Sequence, residues 1–331
     1  MFVKTFKKNY HLQLLLLIIV PLLLWIPIFT NPSKMISSDF DMPIYQTIYN
    51  LLSLYPLLSS IIAFFLIYFQ AILLNSIFSY NQLSSKTSFF PAFIYLLILS
   101  SDKNIMTLNP IIISNTFVII ALYFIFKSYD KRDGADEIFN SALLISLSSL
   151  TYSPSIFFIL WIWLSFIAYK NYKWRLWIIS LLGLITPYIL LGAYYFIIDK
   201  LEIKTNHFLT TLQSIPDLYF SLPPMQIIFY IGIGLFTIIS LSSLLMYRYD
   251  SNISFRKKTS VIVLYFIISL FPCFYFIQYR ELIIIAAPAM AYLFSYYLFQ
   301  KRKLIYSNII LSILIILVLA KFILSFDISF L

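Results

Sequence analysis

The sequence predicts an all-helical bundle that crosses a bilayer many times, and three observations carry that prediction. Charged residues make up 11% of the 331 positions and apolar ones 61%, where a soluble domain carries roughly 25% charge. The apolar residues fall in continuous runs rich in Ile, Leu and Phe, unlike the alternating segments of about ten residues that build an outer-membrane barrel. In lipid, only helices and closed barrels satisfy every backbone group. The basic residues between the runs, finally, favour one side of the array. The single cysteine, Cys273, lies inside an apolar run, which excludes an intrachain disulfide and a cysteine metal cluster.

In chain order, the predicted spans are 12–29, 54–79, 89–100, 110–127, 138–153, 154–170, 174–198, 226–247, 260–278, 282–300 and 304–326. The first follows Lys4, Lys7 and Lys8 as a secretory signal would. It is longer than a usual signal core, and Thr30-Asn31-Pro32-Ser33 follows it in place of a small-residue cleavage site, so it reads as a retained span. The segments 89–100 and 138–153 fall short of the roughly 20 residues a perpendicular helix needs, which implies thinned, half-buried or re-entrant segments. Two connections, 30–50 and 199–225, mix aromatic with polar residues and suit helices lying in the interface. The whole chain, 1–331, reads as one integral membrane domain.

With the amino terminus in the cytoplasm, the inner loops and span ends hold Lys4, Lys7, Lys8, Lys86, Lys127, Lys131, Arg132, Lys170, Lys173, Arg175, Arg248, Arg256, Lys257, Lys258, Lys301, Arg302 and Lys303. The outer side holds Lys34, Lys103, Lys200, Lys204, Arg280 and Lys321, a division of 17 to 6. The positive-inside rule reads this as an inner start and an outer end. The net charge of +10 is thereby explained as anchoring on an anionic leaflet, and nucleic acid is not an expected partner.

Several kinds of chemistry lose support at this stage. The spans contain no Asp or Glu, whereas ion-coupled pumps rely on buried carboxylates. Five glycines are few for the broken helices of many transporters. Markers of nucleotide-driven transport, serine hydrolysis and zinc proteolysis are missing from the sequence.

What remains lies on the outer side. Ser38-Asp39-Phe40-Asp41 places two carboxylates that face the same way on an extended backbone and diverge on a helix. Such a pair suits a divalent cation or a general base beside a sugar hydroxyl, and equally suits a solvated loop. Arg280-Glu281 opens a predicted hairpin; a guanidinium there fits a lipid-linked phosphate, or else pairs locally and snorkels. Asp102, Lys103 and His207 complete the substrate-binding candidates, and no set of metal ligands with suitable spacing surrounds His207.

The layout of one span, an outer loop with Asp39 and Asp41, a long second span and then paired helices resembles the GT-C superfamily of membrane glycosyltransferases. Asn109-Pro110 running through 117–124 to Lys127, Ser141 to Tyr152 followed by Pro154, and Arg280 ahead of a helix containing Pro288 are similar to later parts of that fold. The resemblance implies a polyprenyl-phosphate-linked sugar donor, transfer on the periplasmic side, Asp39 or Asp41 as base and Arg280 on the donor phosphate. The chain departs from the superfamily in lacking an outer domain and any glutamate beside the acidic pair. It also resembles a polytopic inner-membrane family of Bacteroidota, which implies a multi-pass protein of the bacterial inner membrane and carries no function. Two other readings stay open: a non-enzymatic scaffold subunit of an envelope assembly with protein partners, and a lipid or glycan carrier.

Overall fold

A computed structural model describes residues 6, 10–35, 42–84, 88–131, 133–202, 204–206, 224–247, 251–271, 279–300 and 304–327, with the backbone alone described at 224–226, 247, 279–282, 304 and 327. Among the described residues the chain is helical and without strands. In order, the helices are α1 (Tyr10–Thr30), α2 (Pro43–Leu52), α3 (Pro56–Tyr80), α4 (Phe90–Leu99), α5 (Pro110–Asp130) and α6 (Ala135–Ser149). A 3-10 turn, Ser153–Phe157, then leads into α7 (Phe158–Tyr169). α8 (Trp174–Ile197), α9 (Pro224–Tyr247), α10 (Ile253–Ser269), α11 (Tyr279–Gln300) and α12 (Leu304–Asp327) complete the bundle. Pro43, Pro56, Pro110 and Pro224 each open a helix, where a missing N–H costs no hydrogen bond and the fixed φ is already helical.

Each of the eleven predicted runs is helical over most of its described length, but among the described residues seven helices are long and apolar enough to cross a membrane: α1, α3, α5, α8 and most of α9, α11 and α12. The shorter α4, α6, α7 and α10 owe their length to what flanks them. α4 ends in a buried irregular stretch, and α6 ends one turn before the 3-10 segment. Most residues of these stretches are buried, so neighbouring protein surrounds much of their non-helical backbone. α10 departs most from expectation, starting at Ile253 and not near 260. It takes Arg256, Lys257 and Lys258 into the helix, and Lys258 is buried because partners on other helices receive its charge.

α4 is the innermost element, with all ten residues buried. Two side-chain bonds tie it to α1. Gln13 Oε1 accepts from the Phe89 N–H at 3.0 Å, and Trp25 Nε1 donates to Ser100 Oγ at 3.1 Å. The rise from Gln13 to Trp25 is about 18 Å, so α1 runs parallel to α4 and spans its whole length. α11 packs against α4, and Phe90 stacks on Phe299 at 4.8 Å between ring centres.

A polar network crosses this apolar centre, and a proline explains part of it. Pro288 has no N–H, which frees the carbonyl four residues earlier in α11. That carbonyl, on Ile284, accepts from Asn115 Nδ2 of α5 at 3.0 Å. Asn115 Nδ2 also donates to the Tyr95 hydroxyl at 3.1 Å, and Tyr95 donates to Gln70 Oε1 at 2.6 Å. Gln70 Nε2 donates to the Ile112 carbonyl and Thr116 Oγ1, and the Tyr265 hydroxyl donates to the Ile285 carbonyl. The network therefore stitches α3, α4, α5, α10 and α11 together where an unmet polar group would be costly. Nearby, α8 crosses α6 so closely at Gly183 that a Cβ there would sit 2.6 Å from the Phe139 carbonyl oxygen, the close backbone approach that small residues permit.

Leaving out the short α2, the helices run alternately up and down. At one end, Lys258 meets Asp130 and Asn81, Lys173 meets Asp133, Lys131 meets Glu137, and Lys257 reaches the Tyr169 carbonyl. These contacts, with Ser243 on Gln300 and Ser307 on the Leu298 carbonyl, gather the ends of α3, α5, α7, α9 and α11 and the starts of α6, α8, α10 and α12. We call this the basic end. The opposite, far end holds Ser100 to Asn109, the close of α6 and α12, and α2, whose Ile44 N–H donates to the Leu150 carbonyl at 3.2 Å.

Candidate functional site

Of the residues singled out from sequence, Asp39, Asp41 and His207 lie outside the described residues, and Arg280 and Glu281 are described only as backbone in the first turn of α11. Asp102 and Lys103 are described, and the chain buries the first of them. Asp102 is 1% exposed and Lys321 of α12 is 3% exposed, with 3.3 Å between the ammonium and Asp102 Oδ2. The other carboxylate oxygen accepts from the N–H of Asn104 at 3.0 Å and from its side-chain amide at 3.2 Å. Lys321 Nζ also lies 4.4 Å from the Phe229 ring centre and 5.0 Å from that of Tyr230, so two π faces of α9 share the cation. The Lys103 N–H donates to Ser325 Oγ at 3.2 Å, and its ammonium lies 5.5 Å from the Phe326 ring centre.

This cluster binds the irregular stretch after α4 to α9 and α12. A carboxylate so enclosed, and held by an ammonium, is poorly placed to take a proton from a substrate. Lys321 went unassigned at the sequence level, although a lysine inside the apolar run of α12 was a signal that it needs a partner or a function. Asp102 likewise supplies a buried carboxylate that lies just outside any apolar run.

A cleft of about 130 Å³ opens elsewhere at the far end, between α2, the close of α6, α8 and residues 201–205. Met42, Pro43 and Gln46 form one wall, and Tyr188, Leu191 and Tyr195 another. Each wall is fixed by hydrogen bonds: Ile44 to the Leu150 carbonyl, Ser149 to the Tyr188 hydroxyl at 2.7 Å, and Lys204 Nζ to Gln46 Oε1 at 3.0 Å. At Gly192 an added Cβ would meet nothing within 4 Å, so the glycine widens the mouth. The lining is mostly apolar, with the Lys204 ammonium, the Gln46 amide, the Thr205 hydroxyl and two tyrosines as its polar groups. Neither Asp102 nor Lys103 lines it.

Helix α2 gives the cleft its character. Its apolar residues recur on one face, Tyr45 is fully buried, and Gln46 and Thr47 lie to the side, the pattern of a helix lying in an interface. The sequence pointed to that segment as interfacial, but not to Gln46 and Lys204 as neighbours 158 positions apart. Among the described residues, no group of three His, Cys, Asp or Glu gathers to hold a metal. Comparison with family models, curated proteins and solved structures returned no match for this chain.

Proposed function

We propose that the chain is a membrane glycosyltransferase of the GT-C kind, resident in a bacterial inner membrane. In this reading all eleven apolar runs, the short ones included, enter the bilayer, the basic end faces the cytoplasm, and the far end faces the periplasm, as the distribution of basic residues favours. The donor is a polyprenyl-phosphate-linked sugar.

One observation carries the reading. Met42 and Pro43, which follow Asp41 directly in the chain, line a cleft that combines an apolar, tyrosine-bearing wall with the Lys204 ammonium. An amphiphile with an anionic head suits such a lining, because its chain avoids water while its phosphate meets a cation. The outward face of α8 beside the cleft is apolar, with Ile189 and Leu190 exposed, so the tail has a route to lipid.

In the reaction, Asp39 or Asp41 takes the proton of the acceptor hydroxyl as that oxygen bonds to the anomeric carbon. The bond from that carbon to the donor phosphate breaks, and its electron pair leaves with the phosphate. Lys204 and Arg280 offset the charge gathering there. Such transfer needs little beyond a base, positioning and electrostatic stabilisation of the leaving group.

The test uses the purified full-length chain in proteoliposomes, supplied with polyprenyl-phosphate mannose, glucose or galactose, with release of polyprenyl phosphate as the readout. The expected result is turnover of one donor, abolished by Asp39→Asn or Asp41→Asn in protein that still inserts and purifies. Full activity in both variants would end the assignment. Absence of turnover with stably co-purifying envelope proteins would replace it with the scaffold reading.

A further inference from the structure

A second cleft, of about 350 Å³, opens at the basic end where α3 stops, α4 starts and α11 draws to its close. Residues 82–84 and Pro91 form one part of its lining, and Ser295, Tyr296 and Phe299 of α11 form the rest. Its volume exceeds the 130 Å³ of the far-end cleft and falls within the roughly 300–1,000 Å³ of small-molecule sites.

The turn after α3 is fixed before any ligand arrives. Asn81 Nδ2 donates to the Ile77 carbonyl at 2.7 Å, and Asn81 Oδ1 accepts from Lys258 at 2.8 Å. The chain then passes through Gln82 at φ +57°, and the N–H groups of Leu83 and Ser84 both return to the Phe78 carbonyl, at 2.9 and 3.3 Å. Left-handed backbone just past a helix favours glycine, or else asparagine. A glutamine here accepts the strain, and what it adds is an exposed side-chain amide at the cleft wall. Among the described residues that amide has no hydrogen-bond partner.

The wall from α11 is aromatic and equally fixed. Tyr296 stacks on Tyr292 at 6.1 Å and meets Phe255 at 5.9 Å, while Phe299 stacks on Phe90 at 4.8 Å. Both rings stay partly exposed. The Tyr296 hydroxyl also has no partner among the described residues, and it is not enclosed by the protein. The two serines are committed elsewhere: Ser295 donates to the Tyr292 carbonyl at 2.8 Å, and Ser84 Oγ is buried behind the surface. Among the described residues, no charged side chain lines the cleft, although lysines surround it at this end. An ion entering would shed its water without meeting a counter-charge. A sugar ring makes the opposite demands. Its hydroxyls each donate and accept, as the amide and the phenol together can, and its C–H faces pack on aromatic rings.

We propose that this cleft binds a neutral sugar ring, with the Gln82 amide and the Tyr296 hydroxyl as hydrogen-bonding ligands and Tyr296, Phe299 and Pro91 as the packing surface. The sugar belongs to a glycolipid headgroup or comes from solution, and the two sources are separable. The site lies at the opposite end from the glycosyl-transfer cleft and stands independently of that reading.

The test follows thermal unfolding of the full-length protein in an amine-oxide detergent, which carries no sugar of its own. The probes are short-chain monoglucosyl diacylglycerol, short-chain diacylglycerol, short-chain phosphatidic acid and free glucose. The glucosyl lipid is expected to raise the midpoint saturably, and diacylglycerol and phosphatidic acid are not. A weak response to glucose identifies the lipid headgroup as the source, and a saturable response equal to that of the glucosyl lipid identifies sugar from solution. Tyr296→Phe is expected to weaken binding roughly fivefold, the worth of one hydrogen bond, while leaving the ligand-free midpoint in place because the hydroxyl has no partner to lose. Gln82→Gly should weaken it at least as much and leave the ligand-free midpoint unchanged or higher, since glycine relieves the backbone strain. The proposal is overturned if neither glucose-bearing probe gives a saturable shift beyond that of diacylglycerol, if phosphatidic acid matches the glucosyl lipid, or if both variants bind as tightly as the parent.

Discussion

The two ends of the bundle hold their charges in opposite ways. At the basic end each ion pair has at least one half-exposed partner: 49% of the Asp130 side chain is accessible beside Lys258, 49% of Lys131 beside Glu137, and both members of Lys173–Asp133 are open. At the far end Asp102 and Lys321 are buried on both sides. Exposed pairs of the first sort contribute about 0–1 kcal/mol each and are screened by salt. A pair of the second sort has lost its hydration on both partners, a cost its mutual attraction offsets only with good geometry and further contacts. The Asn104 donors and the Phe229 and Tyr230 rings supply those contacts. The basic end thus carries most of its charge on its rim, and the far end carries one pair internally as a clasp.

The sharpest way to break this comparison is to remove one member of the clasp. Lys321→Met leaves the Asp102 carboxylate enclosed without its ammonium, and Asp102→Asn does the converse. Either is expected to destabilise the fold by about 3–5 kcal/mol, read as a fall in the unfolding midpoint in detergent. The double variant Asp102→Asn with Lys321→Met should recover much of that loss, since neither side chain then holds an uncompensated charge. Single variants as mild as a surface substitution would show that the two ends do not differ.

A smaller effect is expected at Lys258, the one basic-end lysine treated like the far-end pair. It is 4% exposed and donates to Asn81 Oδ1 at 2.8 Å and to both Asp130 oxygens at 3.0 Å. Lys258→Met removes charged hydrogen bonds worth about 1.5–3 kcal/mol, but Asp130 can turn to water, so the expected loss of stability lies between that of the clasp and that of Lys173→Ala. Thermal unfolding of the three variants in one detergent orders them.

These contacts also mark where sequence reasoning stops. Apolar runs announced α1, α3, α5, α8, α9, α11 and α12 to within a few residues, because lipid imposes length and composition locally. A helix within the 30–50 connection was legible from its mixture of aromatic and polar residues. The start of α10 was misplaced because Lys258 is satisfied by α5, more than a hundred positions away. Asp102 looked like a loop residue because its partner lies 219 positions later, and the pairing of Asn115 with the carbonyl freed by Pro288 spans 169. Each left a local trace, a lysine, an asparagine or a proline in an apolar helix, but the trace names a need and not the residue that meets it. Asp39 and Asp41 were legible as a motif, and the cleft lined by the neighbouring Met42 is what the fold adds.

The mildest probe of the contrast is pH, acting on Glu137 in the first turn of α6, at the rim of the basic end. Burial alone would raise its pKa, but the bond from Lys131 and the charge of Lys127 outweigh burial and hold it below the ordinary glutamate value. A carboxyl depressed on folding stabilises the protein above the unfolded-state value, about 4.3. That contribution is lost as pH falls through the folded value, because the unfolded chain then binds the proton more readily. Lys131 moves the other way: its bond to Glu137 raises its pKa, so its share persists below the ordinary lysine value, about 10.4, and is lost as pH rises through the folded one. Glu137→Gln should therefore lower the unfolding midpoint slightly near neutrality and not at all in acid, with the two curves merging as pH drops below the usual glutamate range. A constant offset between the curves at every pH would mean that Glu137 acts through packing and not through charge, and the basic end would then resemble the far end more than its exposed partners imply.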